Sequence, residues 1–311
     1  MHPVSCVPVL LVLLLTAEIG RAQQSVTPDT RGLDFKPFGL LAIQDNGRRK
    51  PIDTFAKQTL VHLTGRSTYA DKTGHKWTAN DFLLSALLET HDWKNEPMVL
   101  VSFGKLKEQL GLEKTQRRFP FAQLSGSAAL QRIANEARTL KRAEKPLERL
   151  QQEALSVSDR LALFARVMDG SALLIVPAPK SETDPWLVPD PSRVPEYYSE
   201  SQFETAFSQL RAIVNAYSQG DSLQFDRAAN QFRQNLRTLS PAIYPTESKL
   251  RLEYFYNHFD GFYRAIWLYG LGFLLLLIAH LRKRGRVLRN FGVVIALVGL
   301  AFMALELCCA A

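Results

Sequence analysis

Residues 203–217 read FETAFSQLRAIVNAY. Phe203, Ala206, Phe207, Leu210, Ile213, Val214 and Tyr217 recur at steps of three and four, which gathers them on one face of a helix. The same period appears on both sides of this stretch. Downstream, Phe225, Ala228, Ala229, Phe232 and Leu236 predict a further helix. Upstream, residues 127–155 predict one helix, or two broken at Pro146, with Leu130, Ile133, Ala134, Ala137 and Leu140 on one face. Ser158-Asp159 reads as the start of another, through Leu161, Phe164 and Met168. Nearer the N-terminus, Phe55, Ala56, Thr59, Leu60 and Leu63 follow Asp53, a candidate N-cap, and precede Gly65, a candidate C-cap. Asn80 is read as the cap of a short helix carrying Phe82, Leu83, Ala86 and Leu87. Strand candidates are short: Leu40 to Ile43, Met98 to Val101 and Leu173 to Val176. They are too few for a sizeable sheet. The expected fold is therefore mainly α: an exported helical domain with a few short strands, followed by a two-helix transmembrane hairpin.

The chain ends carry the membrane signals. Val7 to Ala17 form an apolar run of eleven residues, too short to span a bilayer, and Gly20-Arg21-Ala22 follows with small residues where a signal peptidase reads. Residues 1–22 are therefore expected to be a signal peptide, and 23–261 the exported, periplasmic domain. Two apolar helices are expected at 262–281 and 290–309. The loop 282–289 between them holds Arg282, Lys283, Arg284, Arg286 and Arg289 and no acid. A short basic loop stays cytoplasmic, and this agrees with an exported domain ahead of the first helix. Tyr256, Tyr263, Trp267 and Tyr269 fit an aromatic belt at the outer surface. Inside the exported region, residues 177–195 hold Pro177, Pro179, Pro185, Pro189, Pro191 and Pro195. They form a proline-rich connection between two candidate lobes.

Composition narrows the function. Of 311 residues, 46% are hydrophobic and 22% charged, which excludes a disordered or low-complexity chain. The formal charge is +8, and five of those excess cations sit in the basic loop. The basic balance is thus a topology signal and implies no nucleic acid. The three cysteines are Cys6, Cys308 and Cys309, so no disulfide frames residues 23–261. CxxCH, CxxC, HExxH, GxSxG, GxxxxGK[ST] and GxGxxG are all missing. No pair of the six histidines has metal-ligand spacing on a helix. No catalytic or metal site is expected, and no covalently bound haem.

Two segments stand out as candidate binding sites. The first runs from Ile43 to Ala56, IQDNGRRKPIDTFA. Asn46-Gly47 is a tight-turn pair, and Pro51 restrains the chain before Asp53. Turn and cap leave Arg48 unexplained; an arginine beside a turn glycine can grip a carboxylate or haem propionate through two parallel hydrogen bonds. The second runs from Leu250 to His258, directly before the first apolar helix. There Glu253, Tyr256, Asn257 and His258 could form a docking collar at the membrane surface. In the hairpin itself, Gly292 and Gly299 offer a small face for close helix packing, and Glu306 is an ionisable group deep in the second helix.

These segments carry a resemblance. Gln44, Gly47, Arg48, Pro51, Asp53, Thr54 and Ala56, followed by Leu63, Gly65, Arg66 and Ser67, form a pattern similar to the N-terminal exported region of CcsA-type cytochrome c biogenesis proteins. These belong to system II, the ResB/ResC or CcsBA class. Lys249, Leu250, Leu252, Glu253, Tyr256 and Asn257 resemble the segment before the membrane core of the same proteins. The resemblance implies haem export and its attachment to apocytochrome c. The family's core is a multi-helix membrane domain with a tryptophan-rich WWD segment. This sequence has no such segment; its four tryptophans, Trp77, Trp93, Trp186 and Trp267, are scattered. What is implied is an accessory subunit in the cytoplasmic membrane that presents or holds apocytochrome c beside a separate WWD-containing partner, with haem contacting it only transiently. A membrane-tethered scaffold or sensor unrelated to haem is the alternative.

Overall fold

The computed structural model describes residues 29–30, 32–177, 184–190, 197–259, 261–281 and 286–310, with the side chains of 200, 203, 261–263, 286 and 303–310 outside the description. The expected signal peptide, much of the proline-rich connection and residues 282–285 of the basic loop therefore lie outside the described residues. The chain forms two compact units, one ending at Pro245 and one beginning at Thr246.

The fold is mainly α. Among the described residues of the first unit the helices are α1 (Lys36–Gly39), α2 (Ile52–Thr64), α3 (Ala79–Leu87), α4 (Gly104–Gln109), α5 (Phe121–Ser125), α6 (Ala128–Arg142), α7 (Arg149–Met168), α8 (Glu200–Gln219) and α9 (Ser222–Leu239). The strands form separate two-stranded antiparallel ladders: β1 (Ala42–Asp45) with β2 (Arg48–Pro51), β3 (Tyr69–Ala70) with β4 (Lys76–Trp77), and β5 (Val99–Leu100) with β6 (Arg118–Phe119). None is wide enough to organise a core, so helix packing does.

The periodic stretches fold as helices with the expected faces inward. On α8, Ala206, Phe207, Ile213 and Tyr217 are buried; on α9, Phe225, Ala228, Ala229, Phe232 and Leu236 are. These two helices pack together as a hairpin around Gly220. Gly220 has φ +67°, and a Cβ there would lie 2.8 Å from the Asp29 carbonyl oxygen. Phe35 joins them to the N-terminal segment, its ring edge-on to Phe225 at 5.5 Å and to Tyr217 at 6.4 Å.

Four local expectations are corrected. Asp53 is not the cap of α2: Pro51 holds that position, and Asp53 sits inside the first turn, buried. Asn80 does not cap α3: Thr78 does, its hydroxyl accepting from the Asp81 N–H at 3.3 Å. Residues 127–155 do break near Pro146, but no helix begins at Ser158. Instead α7 runs unbroken from Arg149, started by a reciprocal Glu148–Gln151 cap. The Ser158 hydroxyl is occupied otherwise, accepting from Arg138 of α6 at 2.5 Å. Leu173 to Val176 contribute only a single bridge, Val176 to Leu187, because the N–H groups of Leu173, Leu174 and Ile175 are taken up locally by the Gly170, Ala172 and Leu173 carbonyls.

The second unit comprises α10 (Glu247–Phe259), α11 (Gly261–Leu281) and α12 (Arg286–Ala310). The stretch Arg264–Leu281 has a mean hydropathy of 1.7 and is long and apolar enough to cross a membrane. At ~1.5 Å per residue, the 21 residues of α11 match a ~30 Å hydrocarbon layer. The apolar stretch described on α12 is Val287–Phe302. The two helices pack along a seam of small residues. Ala265, Gly272 and Ala279 are buried at intervals of seven on α11, and Gly292 and Gly299 at the same interval on α12. The bulky residues point outward: Ile266, Trp267, Phe273 and Leu281 on α11, and Val287 and Phe291 on α12, are mostly exposed. Small residues inside and large apolar ones outside is the distribution of helices solvated by lipid.

Candidate functional site

The site begins with the β1–β2 hairpin. Asn46 and Gly47 take φ +50° and +79°, the left-handed pair that a two-residue hairpin turn requires. Behind the turn, the Lys50 ammonium is buried, 2.7 Å from the Asp45 carboxylate and 2.5 Å from Gln58 Oε1. Gln44 is buried as well. Its Oε1 accepts from the Trp186 N–H at 2.6 Å and its Nε2 donates to the Asp184 carbonyl at 3.4 Å. Gln44 thus clasps the middle of the proline-rich connection. Arg49 donates to the Ile243 carbonyl at 2.8 Å, and the Ala42 N–H donates to the Tyr244 hydroxyl at 2.9 Å. The hairpin is therefore tied to two distant parts of the chain, residues 184–186 and 243–244.

Asp53 and Arg48, read together from the sequence, are parted by the fold. Asp53 Oδ1 accepts from Asn80 Nδ2 at 2.9 Å, and its Oδ2 lies 3.6 Å from the Lys57 ammonium. This carboxylate joins α2 to α3 in the interior. Thr54 and Ala56 are buried beside it. Arg48, in contrast, stands exposed at the start of β2, opposite Asp45. Beside the turn opens a cavity of about 330 Å³ bordered by Asp45, Asn46, Gly47, Phe55, Arg166 and Leu174. Its walls mix apolar side chains with the oppositely charged Asp45 and Arg166, an apolar lining with a few polar groups of the kind small-ligand cavities have.

A second constellation was hidden from the sequence. Trp77 and Trp93 meet edge-on with centroids 4.9 Å apart. His75 lies 4.5 Å from Trp77, His91 lies 4.5 Å from Trp93, and Phe82 closes the group at 4.8 Å from Trp93. The indole and phenol edges are satisfied by three different partners: Trp77 Nε1 donates to Asp71 at 2.9 Å, Trp93 Nε1 to Ser85 at 2.9 Å and the Tyr69 hydroxyl to Glu96 at 3.0 Å. His75 Nε2 is 3.8 Å from Asp81, and His91 Nε2 is 3.7 Å from Glu96. Fifteen residues separate the two tryptophans, and the β3–β4 ladder and α3 bring them together. No spacing rule finds such a cluster; the one available signal was the density of aromatic and histidine residues between 69 and 93.

The carboxylates around this cluster are held in opposite senses. Burial raises the Asp81 carboxyl above its ordinary value, although hydrogen bonds from Thr30 and Tyr217 and the nearby His75 oppose it. Burial also pushes at Asp71, but hydrogen bonds from the Thr73 and Trp77 side chains and from two backbone N–H groups prevail and hold it low. The Tyr217 hydroxyl, 2.8 Å from Asp81, is pushed well above the phenol range by burial and by that carboxylate. Among the described residues, no three His, Cys, Asp or Glu side chains converge as a metal site would require.

The second sequence motif lies on α10. His258 stacks on Tyr254 at 4.1 Å, with Nδ1 2.8 Å from the Tyr254 carbonyl. The ring is thereby oriented along its own helix. Glu253, Tyr256 and Asn257 lie half-buried on the same helix, while Leu252 and Phe255 are mostly exposed. On α12, Gly292 and Gly299 face α11, within reach of Leu276 and Leu268 respectively. Glu306 lies on the last turns of α12, its side chain outside the description.

The fold and site together define a helical domain with a ligand-sized cavity at a braced hairpin, followed in the same chain by a helix fit to cross a membrane. No protein-family model matches the chain. It is similar to Protein NrfI of Wolinella succinogenes, with 26% identity over 255 residues. The match covers 78% of this chain and 26% of that protein, so the chain spans about a quarter of the relative's length.

Proposed function

We propose that this protein is a membrane-anchored accessory component of a system II cytochrome c maturation complex. It presents or holds apocytochrome c beside a separate WWD-containing subunit that handles haem. The observation that carries the reading is the β1–β2 hairpin: the residues that resemble the CcsA-type pattern build one braced turn, with Arg48 exposed and a cavity beside it. The distant likeness to NrfI, over most of this chain, supports the cytochrome c biogenesis theme. The apolar span in α11 supports a membrane location. In this reading residues 1–22 are a signal peptide, the first unit lies on the periplasmic side of the cytoplasmic membrane, and 282–289 face the cytoplasm. Haem reaches the chain only through the partner. The collar residues Glu253, Tyr256, Asn257 and His258 meet that partner at the membrane surface, and Glu306 meets it within the membrane.

The test compares Arg48→Ala with Asp53→Ala in cells that depend on this chain for c-type cytochromes. Removing Asp53 strands the Asn80 amide in the interior, a cost of about 1–3 kcal/mol. Its protein level should fall. Arg48→Ala should leave the protein level unchanged and lower haem-stained cytochrome c. Normal cytochrome c in the Arg48 variant, at normal protein level, would remove the hairpin from the function; normal cytochrome c in cells lacking the chain altogether would remove the maturation role.

A further inference from the structure

On the surface formed by the segment after α2 and the β6 strand, three arginines line one groove. It measures about 290 Å³ and is lined by Arg66, Arg117 and Arg118, with Thr68, Tyr69 and Pro97 among the other walls. None of its lining residues is a carboxylate. Gly65 brings the first arginine there: with φ +74° it ends α2 in a left-handed turn and sends Arg66 back across the helix end.

Local structure accounts for one of the three. Arg118 Nε donates to the Thr64 carbonyl at 2.7 Å, capping an otherwise unpaired C-terminal carbonyl of α2. Arg66 and Arg117 have no such duty. Both are exposed, and among the described residues neither guanidinium makes a hydrogen bond or ion pair. Burial and the positive charges of Arg66 and Arg117 lower Arg118 from its ordinary value, with Tyr69 opposing them. Like charges that line one groove repel one another. An anion seated among them reverses the sign of that term. The planar fork of arginine pairs with carboxylate and phosphate through two parallel hydrogen bonds, so three forks around one cavity match a ligand with more than one oxyanion.

We propose that the Arg66–Arg117–Arg118 groove is a binding site for a small polyanion bearing two or more carboxylate or phosphate groups, seated against Tyr69 and Pro97. The volume sits at the lower end of small-ligand cavities, ~300–1,000 Å³, which favours a compact ligand. The site lies apart from the β1–β2 hairpin and shares no lining residue with its cavity.

The test is calorimetric titration of the full chain in detergent at low salt, with pyrophosphate in one arm and citrate in the other. Saturable binding of either supports the site, and the stronger arm identifies phosphate or carboxylate as its chemistry. Arg66→Gln/Arg117→Gln removes two charge-assisted contacts from exposed positions and should weaken binding by roughly tenfold or more. Arg132→Gln/Arg142→Gln on α6 makes the same change in net charge elsewhere and should leave the affinity within about twofold, the effect expected of distant screened charges. Equal weakening by both pairs would reduce the effect to general attraction by a basic protein and overturn the proposal. Failure of both anions to bind the wild type at millimolar concentration would also overturn it. Neither outcome bears on the maturation role, which rests on Arg48.

Discussion

The seam between α11 and α12 permits a graded test of how this helical hairpin holds together. A Cβ at Gly292 would lie 2.9 Å from Leu276 Cγ and 3.1 Å from the Gly272 carbonyl oxygen. The second contact is backbone and cannot rotate away, so Gly292→Ala forces the helices apart. Overpacking of this kind costs about 1–3 kcal/mol. At Gly299 the nearest atom is Leu268 Cβ at 3.4 Å, an ordinary contact, and at Gly270 nothing lies within 4 Å. Gly299→Ala should be close to neutral. Gly270→Ala should be neutral or slightly stabilising, since alanine exceeds glycine in a helix by up to ~1 kcal/mol. The assay is reversible unfolding of the full chain in mixed SDS and maltoside micelles, followed by helical circular dichroism. The expected order of midpoints is Gly270→Ala highest, Gly299→Ala next and Gly292→Ala lowest by a clear margin. Equal midpoints for Gly292→Ala and Gly270→Ala would mean that the glycines do not face each other across this seam.

Two further outcomes follow from the first unit. Gly220→Ala places a side chain at φ +67° with its Cβ 2.8 Å from the Asp29 carbonyl, and the left-handed backbone alone costs ~1–2 kcal/mol. Gly74→Ala, at φ +86° with nothing within 4 Å, is the control that carries the backbone cost without the clash; a urea midpoint for Gly220→Ala no lower than for Gly74→Ala would refute the close approach. Asp81 holds its proton to higher pH in the folded state than in the unfolded chain, because burial disfavours its charge. Its contribution to stability is therefore full below the unfolded carboxylate value of about 4 and is lost as pH rises through the raised folded value. Unfolding free energies of wild type and Asp81→Asn, measured from acid to neutral pH, should show wild type losing ground as pH rises from about 4 and then a constant difference. A wild type that gains ground over the same range would contradict the buried, charge-averse setting.

The helices with one apolar face were legible in the sequence. The α8 and α9 stripes fold with their expected residues inward because a period of 3.6 has one packing solution when the neighbour is also a helix. Caps were less legible. Asp53 and Asn80 are both good capping types, yet each lies inside a first turn, and they bond to each other across two helices. A cap is a local choice; a buried hydrogen bond between α2 and α3 is a tertiary one that overrode it. The short strands were half legible for the same reason. Leu40 to Ile43 locate β1 within two residues, but β2, with Arg48, Arg49 and Lys50, has no apolar alternation to announce it. It becomes a strand because the Asn46-Gly47 turn folds it back and Asp45 pairs with Lys50. The Trp77–Trp93 cluster was not legible at all, since its contacts depend on a ladder of four residues in total.

The hairpin also separates what a sequence pattern records from what a site does. Gln44, Pro51, Asp53, Thr54 and Ala56 are the residues by which the region resembles CcsA-type proteins, and each has a structural duty here. Gln44 clasps the segment before Trp186, Pro51 starts α2, Asp53 holds Asn80, and Thr54 and Ala56 fill the interior. A pattern can thus persist because a turn, a helix start and an inter-helix bond must coexist within a few residues. Substituting any of these would lower activity by lowering the amount of folded protein, and the loss would say nothing about chemistry. Arg48 is exposed at the turn and belongs to neither the Asp45–Lys50 pair nor the Gln44 clasp. An activity defect at constant protein level is therefore informative at Arg48 and uninformative at Asp53, which is why the exposed arginine is the residue on which the functional reading should be tried.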